Sequence, residues 1–198
     1  MGLGAQSRSR RRFLRDAGLA TAAFVLAGCT SHKARRRAAP SIPTSTFAGS
    51  FGGRIDVGPV DQILDRIASR HEPHSVPAAR ASVSAFPAES RAAAKRRYPE
   101  AAFAALDAGV VVLYQRCTHL GCRTPFCSSS QYFECPCHAA RFDLVGEKRA
   151  GPAPRGLDLM PASIRQGRLV IDTGTILPGL PAGTDTTHQA PAGPFCVG

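Results

Sequence analysis

Two short stretches of the chain concentrate the side chains best able to hold a metal. Cys117-Thr118-His119-Leu120-Gly121-Cys122 and Cys135-Pro136-Cys137-His138 supply four of the seven cysteines and two of the six histidines. Each stretch offers a thiolate and an imidazole at short spacing, so each can form half of one site. Two thiolates with two imidazoles suit either tetrahedral zinc or a 2Fe–2S cluster that carries both His on one iron. Structural zinc knuckles usually present like ligands, as paired Cys or paired His. Here the pairs are mixed, Cys117-x-His119 and Cys135-x2-His138. In a mixed cluster each box gives one Cys to the inner iron and one His to the outer, which accounts for that symmetry.

The elements that must position these boxes read as short strands. The run 75–84, the apolar run Gly109-Val110-Val111-Val112-Leu113-Tyr114-Gln115 and a hairpin over 164–171 around Gln166-Gly167 all have β character. The stretch 61–70 has helical spacing for a turn or two (Ile63, Leu64, Ile67), and the alanine-rich 89–106 reads as a helical insertion broken at Pro99. Many short strands without a long apolar helix predict a mostly β, antiparallel domain over 54–172. Its metal-binding part spans about 115–155, and residues 173–198, rich in Gly, Pro and Thr, read as an extended tail.

The formal charge of +11 suggests nucleic acid or a membrane surface until its distribution is considered. Residues 1–40 hold nine of the 25 Lys and Arg and one of the 14 acids, so the remainder carries only +3. Phe13 is the one aromatic residue among these cations, too few to stack successive bases, and no nucleic-acid partner is expected. Ser9-Arg10-Arg11-Arg12-Phe13-Leu14-Arg15 resembles a twin-arginine export motif. The apolar run 17–28 is too short to span a bilayer, which takes roughly 20 apolar residues, and suits a signal peptide over 1–28. Leu26-Ala27-Gly28-Cys29 resembles a lipobox, with Cys29 the lipidated residue; a retained leader serving as an anchor is the alternative. Residues 29–53 then form a flexible tether at the extracytoplasmic face of the cell membrane. Twin-arginine export carries folded proteins, which suits a cofactor inserted before export.

CTHLGC and CPCH resemble the two cluster-binding boxes of Rieske iron–sulfur proteins, and Gly151-Pro152-Ala153-Pro154 resembles their third, proline-rich loop. The resemblance extends over roughly 75–172 and is most specific from 117 to 154. It implies a three-layered antiparallel β sandwich with a small cluster-binding subdomain and one 2Fe–2S cluster. Cys117 and Cys135 would hold the buried iron and His119 and His138 the exposed one, with Cys122 and Cys137 bridged. The extra Cys pair is that of the quinol-oxidising branch. Leu120 and the 151–154 loop would keep water off the cluster, and an imidazole would take a proton from quinol as the electron leaves it.

The chain departs from the respiratory pattern after the second box. Where Gly-Ser-x-Tyr is usual, it has Ala139, Ala140, Arg141 and Phe142, so both hydroxyl donors to sulfur are absent. Such bonds stabilise the reduced cluster, and their loss should lower the potential, as suits menaquinol. With Cys29 lipidated, Cys127 and Cys196 remain and are expected to pair, tying the tail to the cluster region. The sequence thus predicts an electron-transfer subunit of an oxidoreductase of the quinol:cytochrome c reductase type, with cytochrome b-type and c-type partners. The rivals are the Rieske small subunit of an exported molybdenum oxidoreductase of the arsenite oxidase type and a zinc-binding structural lipoprotein.

Overall fold

The computed structural model describes residues 52–198. The twin-arginine stretch, the apolar run, Cys29 and nearly all of the tether lie outside the described residues. The chain enters β1 (Arg54–Pro59), passes through α1 (Val60–Arg70), and forms β2 (His74–Val76) and β3 (Ala81–Ala85). The alanine-rich insertion follows, with α2 (Arg91–Lys95) and α3 (Phe103–Asp107) separated near Pro99. Beyond it come β4 (Val110–Tyr114), then β5 (Phe126–Cys127), β6 (Tyr132–Glu134), β7 (Arg141–Phe142) and β8 (Lys148–Ala150). A hairpin of β9 (Ala162–Arg165) and β10 (Arg168–Asp172) completes the strands.

The strands form three antiparallel sheets, ordered β1-β10-β9, β2-β3-β4 and β5-β6-β7-β8. The mostly β reading with a helical insertion holds. Two elements differ from expectation. The run 75–84 is two strands, because Pro77 starts a 3-10 turn over Pro77–Ala79 and Arg80 takes φ 49°, which folds Ala81 back opposite Val76. The helix over 60–70 is longer than a turn or two: Val60, Ile63, Leu64 and Ile67 share one face, and all pack on the core. It ends where His71 adopts the left-handed conformation, φ 53°. The β9–β10 turn has Gln166 and Gly167 both at positive φ (50° and 75°), the geometry that matches strand twist in a two-residue hairpin.

β4 divides the interior. Its five residues are all buried, and successive side chains point to opposite faces. Val111 and Leu113 join a core containing Phe86, Tyr98, Leu106, Phe133, Phe142 and Leu157. Val110, Val112 and Tyr114 join the other, with Ile63, Val83, Leu169 and Ile171. A continuous apolar run is what a strand covered on both faces requires. Cys117 and Cys135 belong to the first core, so the chain leaving β4 delivers the first box directly onto it.

Candidate metal centre

The two boxes are built alike. In the first, the Cys117 N–H donates to the Cys122 carbonyl (2.8 Å) and the Gly121 N–H to the Cys117 carbonyl (2.9 Å). In the second, the Cys135 N–H donates to the Ala140 carbonyl (2.8 Å) and the Ala139 N–H to the Cys135 carbonyl (3.0 Å). The fifth residue of each loop has positive φ, 82° at Gly121 and 54° at Ala139. Glycine takes that conformation without cost, whereas Ala139 holds it against its own Cβ. Each loop is thus a tight turn that closes on its first Cys and lifts the residues between toward the other loop.

The sulfurs fall into two classes. Cys122 and Cys137 are bonded, with S–S 2.04 Å, and tie one loop to the other. Cys117 and Cys135 are free and buried, 3% and 1% exposed. Burial pushes the Cys117 thiol above its usual range, and the facing Cys135 sulfur adds to the shift. The Cys135 sulfur also lies within 4.8 Å of both bridge sulfurs, so the disulfide backs this thiol.

His119 and His138 meet edge to face, ring centroids 4.8 Å apart. His138 is exposed and His119 half-buried, but His119 Nδ1 is buried without a hydrogen-bond partner. A buried imidazole nitrogen without a partner, two residues from the free Cys117, is the kind of donor a metal would satisfy. Two buried sulfurs with one exposed and one half-buried imidazole therefore fit a cluster with one buried and one more accessible iron.

The third loop closes over the second. A Cβ on Gly151 would lie 2.6 Å from the Ala140 Cα, so only glycine permits this approach. Ala153 is fully buried in the core that holds Cys117 and Cys135, while Pro152 and Pro154 are exposed. The Thr118 hydroxyl donates to the Arg155 carbonyl (2.9 Å), joining the first box to the same loop. Leu120, expected to shield the centre, is 71% exposed and projects outward. Ala140 and Phe142, at the positions of the absent hydroxyl donors, are both fully buried and offer only C–H.

Sequence reasoning missed the polar scaffold beneath the loops. Glu134, next to Cys135, is 1% exposed; it accepts the Ser130 hydroxyl (2.5 Å) and the Val197 N–H (2.8 Å). Asp143 and Glu147 are equally buried and share Arg149 with Asp185. Glu147 also accepts the Thr186 N–H and hydroxyl at 2.8 and 2.6 Å. Burial, reinforced by the Glu147 charge, pushes Asp143 up to about 6 although Arg149 pulls the other way. The tail that these groups grip is pinned by a Cys127–Cys196 bond, S–S 2.07 Å. A charge count of three carboxylates inside an otherwise β stretch was the available signal.

Comparison with known proteins agrees with this geometry. Residues 81–161 match the family described as the Rieske [2Fe-2S] domain. The cytochrome b6-f complex iron-sulfur subunit 1 of Nostoc sp. (strain PCC 7120) is 39% identical over 59 residues, 30% of this chain and 33% of that protein. The cytochrome b6-f complex iron-sulfur subunit of Trichodesmium erythraeum is 44% identical over 54 residues, 27% of this chain and 30% of its own. The matched stretch thus spans about a third of these relatives. The cyanobacterial plasma membrane Rieske protein of Synechocystis PCC 6803 is similar in structure at TM-score 0.40 and 19% identity, covering 59% of this chain and 97% of that one. The family match and the two cytochrome b6-f relatives favour neither a zinc lipoprotein nor a molybdenum-enzyme subunit. Residues 81–161 are a Rieske [2Fe-2S] domain, and with it the chain carries the site of one 2Fe–2S cluster.

Proposed function

We propose that this protein moves single electrons from a quinol to a haem protein, as a subunit of a quinol:cytochrome c reductase-type complex. One observation carries the reading: the two loops that carry the two free, buried thiols also bring two imidazoles into contact, one of which keeps an unpartnered buried nitrogen. Cys117 and Cys135 would hold the inner iron, His119 and His138 the outer. When bound, the cluster stores one electron, more easily than a four-thiolate cluster because two neutral imidazoles replace two anions. The imidazole edges of His119 and His138 accept a hydrogen bond from the quinol hydroxyl and take its proton. The Cys122–Cys137 bond and the 151–154 loop hold the ligand loops in place and limit water around the sulfurs. The relatives named as cytochrome b6-f subunits support haem-protein partners. The N-terminal motifs support twin-arginine export and a lipid anchor at Cys29; among the described residues no helix is long and apolar enough to cross a membrane.

Mild detergent extraction of the full chain tests the reading. Haem b and haem c spectra should copurify with it, and its intact mass should show a leader cut before Cys29 plus acyl chains. Copurification of a large molybdopterin subunit in place of haem would overturn the functional reading, and a retained leader without acyl mass would overturn the anchor.

A further inference from the structure

The charge of the cluster-bearing segment changes character once burial is taken into account. Residues 115–155 contain six cations, Arg116, Arg123, Arg141, Lys148, Arg149 and Arg155, and three acids, Glu134, Asp143 and Glu147. All three acids are within 1% of complete burial, whereas Arg116 and Arg123 are exposed and the other four cations are partly so, down to 15% at the Arg149 side chain. The surface that this segment shows to solvent therefore bears positive charge alone. Part of it is neutralised from neighbouring elements: Arg155 pairs with Asp158, and Arg149 with Asp185 of the tail. Arg116 and Arg123 form no ion pair among the described residues, and they flank the first box on either side. Their backbones face each other in an antiparallel bridge, and Arg116 Nη1 donates to the Gly121 carbonyl (3.3 Å), two residues from His119. Glu72 lines the same cavity as Arg123, about 210 Å³, without an ion pair between them. Leu120, the residue before Gly121, is 71% exposed, and His138, whose ring meets that of His119, is exposed as well.

We propose that Arg116 and Arg123 form the docking face for an acidic electron-transfer protein, which meets the cluster beside the imidazole edges. The inference rests on the electron-transfer reading above and names the charge of its partner. Two unpaired cations at the rim of a redox site raise the local concentration of an anionic partner and its association rate by about 10-fold to 1,000-fold at low salt. An exposed Leu120 in a loop bounded in sequence by two cations suits the apolar core and polar rim of a protein interface. A lipid surface is the less suitable occupant, because the same face must stay open for the electron to leave.

Stopped-flow oxidation of the reduced, cluster-loaded full chain tests this with one haem protein in two charge forms. These are native horse-heart cytochrome c, which is basic, and its fully succinylated, acidic derivative. The rate with the succinylated form should fall at least tenfold between 10 and 200 mM salt, as screening shortens, while the native form shows no such fall. Arg123→Glu, whose side chain makes no hydrogen bond or ion pair among the described residues, should slow the succinylated reaction several-fold, and Arg116→Glu with Arg123→Glu tenfold or more. Arg165→Glu, on the β9–β10 hairpin, should change neither. Binding of the oxidised full chain to immobilised succinylated cytochrome c should follow the same order. Equal salt dependence with the two cytochromes, or unchanged rates in both Arg variants, overturns the docking face and leaves the electron-transfer reading intact. Loss of binding to phosphatidylglycerol vesicles in the Arg variants, with cytochrome rates unchanged, assigns the face to lipid and overturns it equally. Charge-selective binding by a chain that lacks any cluster signal keeps the face and overturns the electron-transfer reading.

Discussion

At the scale of single residues, the second box carries the differences that set the properties of the centre. Ala140 and Phe142 fill positions where hydroxyl groups would donate to sulfur, and both are fully buried. A hydrogen bond to a charged acceptor contributes about 1.5–3 kcal/mol, and at one electron 59 mV corresponds to a tenfold change in equilibrium. Ala140→Ser and Phe142→Tyr should therefore each raise the midpoint potential, by about 60–130 mV, in a redox titration followed by circular dichroism. Unchanged potentials would show that neither position sets the potential of the centre. Ala139 is the second such residue, an L side chain held at φ 54° where its counterpart in the first box is Gly121. Ala139→Gly should stabilise the folded chain by about 0.5–1 kcal/mol, read as a higher thermal midpoint. Both boxes were legible as ligand clusters because Cys and His at such spacing are chemically distinctive. The outward position of Leu120 was not, since nothing in its neighbours says which way a loop residue faces.

At the scale of elements, the tail and the four-stranded sheet act as one unit. Residues 185–197 meet β6, β7 and the turn before β8 through Glu147, Asp143 and Glu134, and the Tyr132 hydroxyl donates to the Gln189 carbonyl (2.6 Å). Arg141 stacks on Phe195, 3.7 Å from the ring centroid, and donates to the Val197 carbonyl. The Cys127–Cys196 bond closes a loop of 69 residues. In the chain-entropy account such closure contributes about 4 kcal/mol. Cys196→Ser should lower the urea midpoint accordingly, and an unchanged midpoint would mean that the polar contacts alone secure the tail. Asp143 adds a pH dependence. Its folded pKa of about 6 lies above the ordinary 3.8 because burial and Glu147 outweigh Arg149. The folded state therefore holds a proton between pH 4 and 6 that the unfolded chain releases, and this group's contribution declines as pH rises through that window, by about 3 kcal/mol. Denaturation of Asp143→Asn across pH 4–6 should lack that decline; an identical slope in both proteins would contradict the assignment. The tail's extended form was legible from its Gly and Pro content. Its anchorage was not, because the carboxylates that hold it carry no spacing signal and gain their partners only from the fold.

For the whole molecule, the basic charge divides between two places. Much of the +11 lies in the first 40 residues, as the sequence shows. The modest +3 of the remainder conceals a segment, residues 115–155, whose three acids are all buried while its cations are not. The fold class was legible through runs such as Val110-Val111-Val112-Leu113-Tyr114, whose continuous apolar character demands cover on both faces. The break at Pro77 and the full length of α1 were less so, since tertiary packing decides how far a short periodic segment extends. The account stands on one claim above the others, that Cys117, Cys135, His119 and His138 together hold a 2Fe–2S cluster. Pulsed electron paramagnetic resonance of the dithionite-reduced full chain tests it most directly. The prediction is one rhombic cluster signal per chain coupled to two imidazole nitrogens, with one coupling lost in His119→Cys and the other in His138→Cys. A silent spectrum from a protein carrying stoichiometric zinc, or a cluster signal without nitrogen coupling, would contradict it.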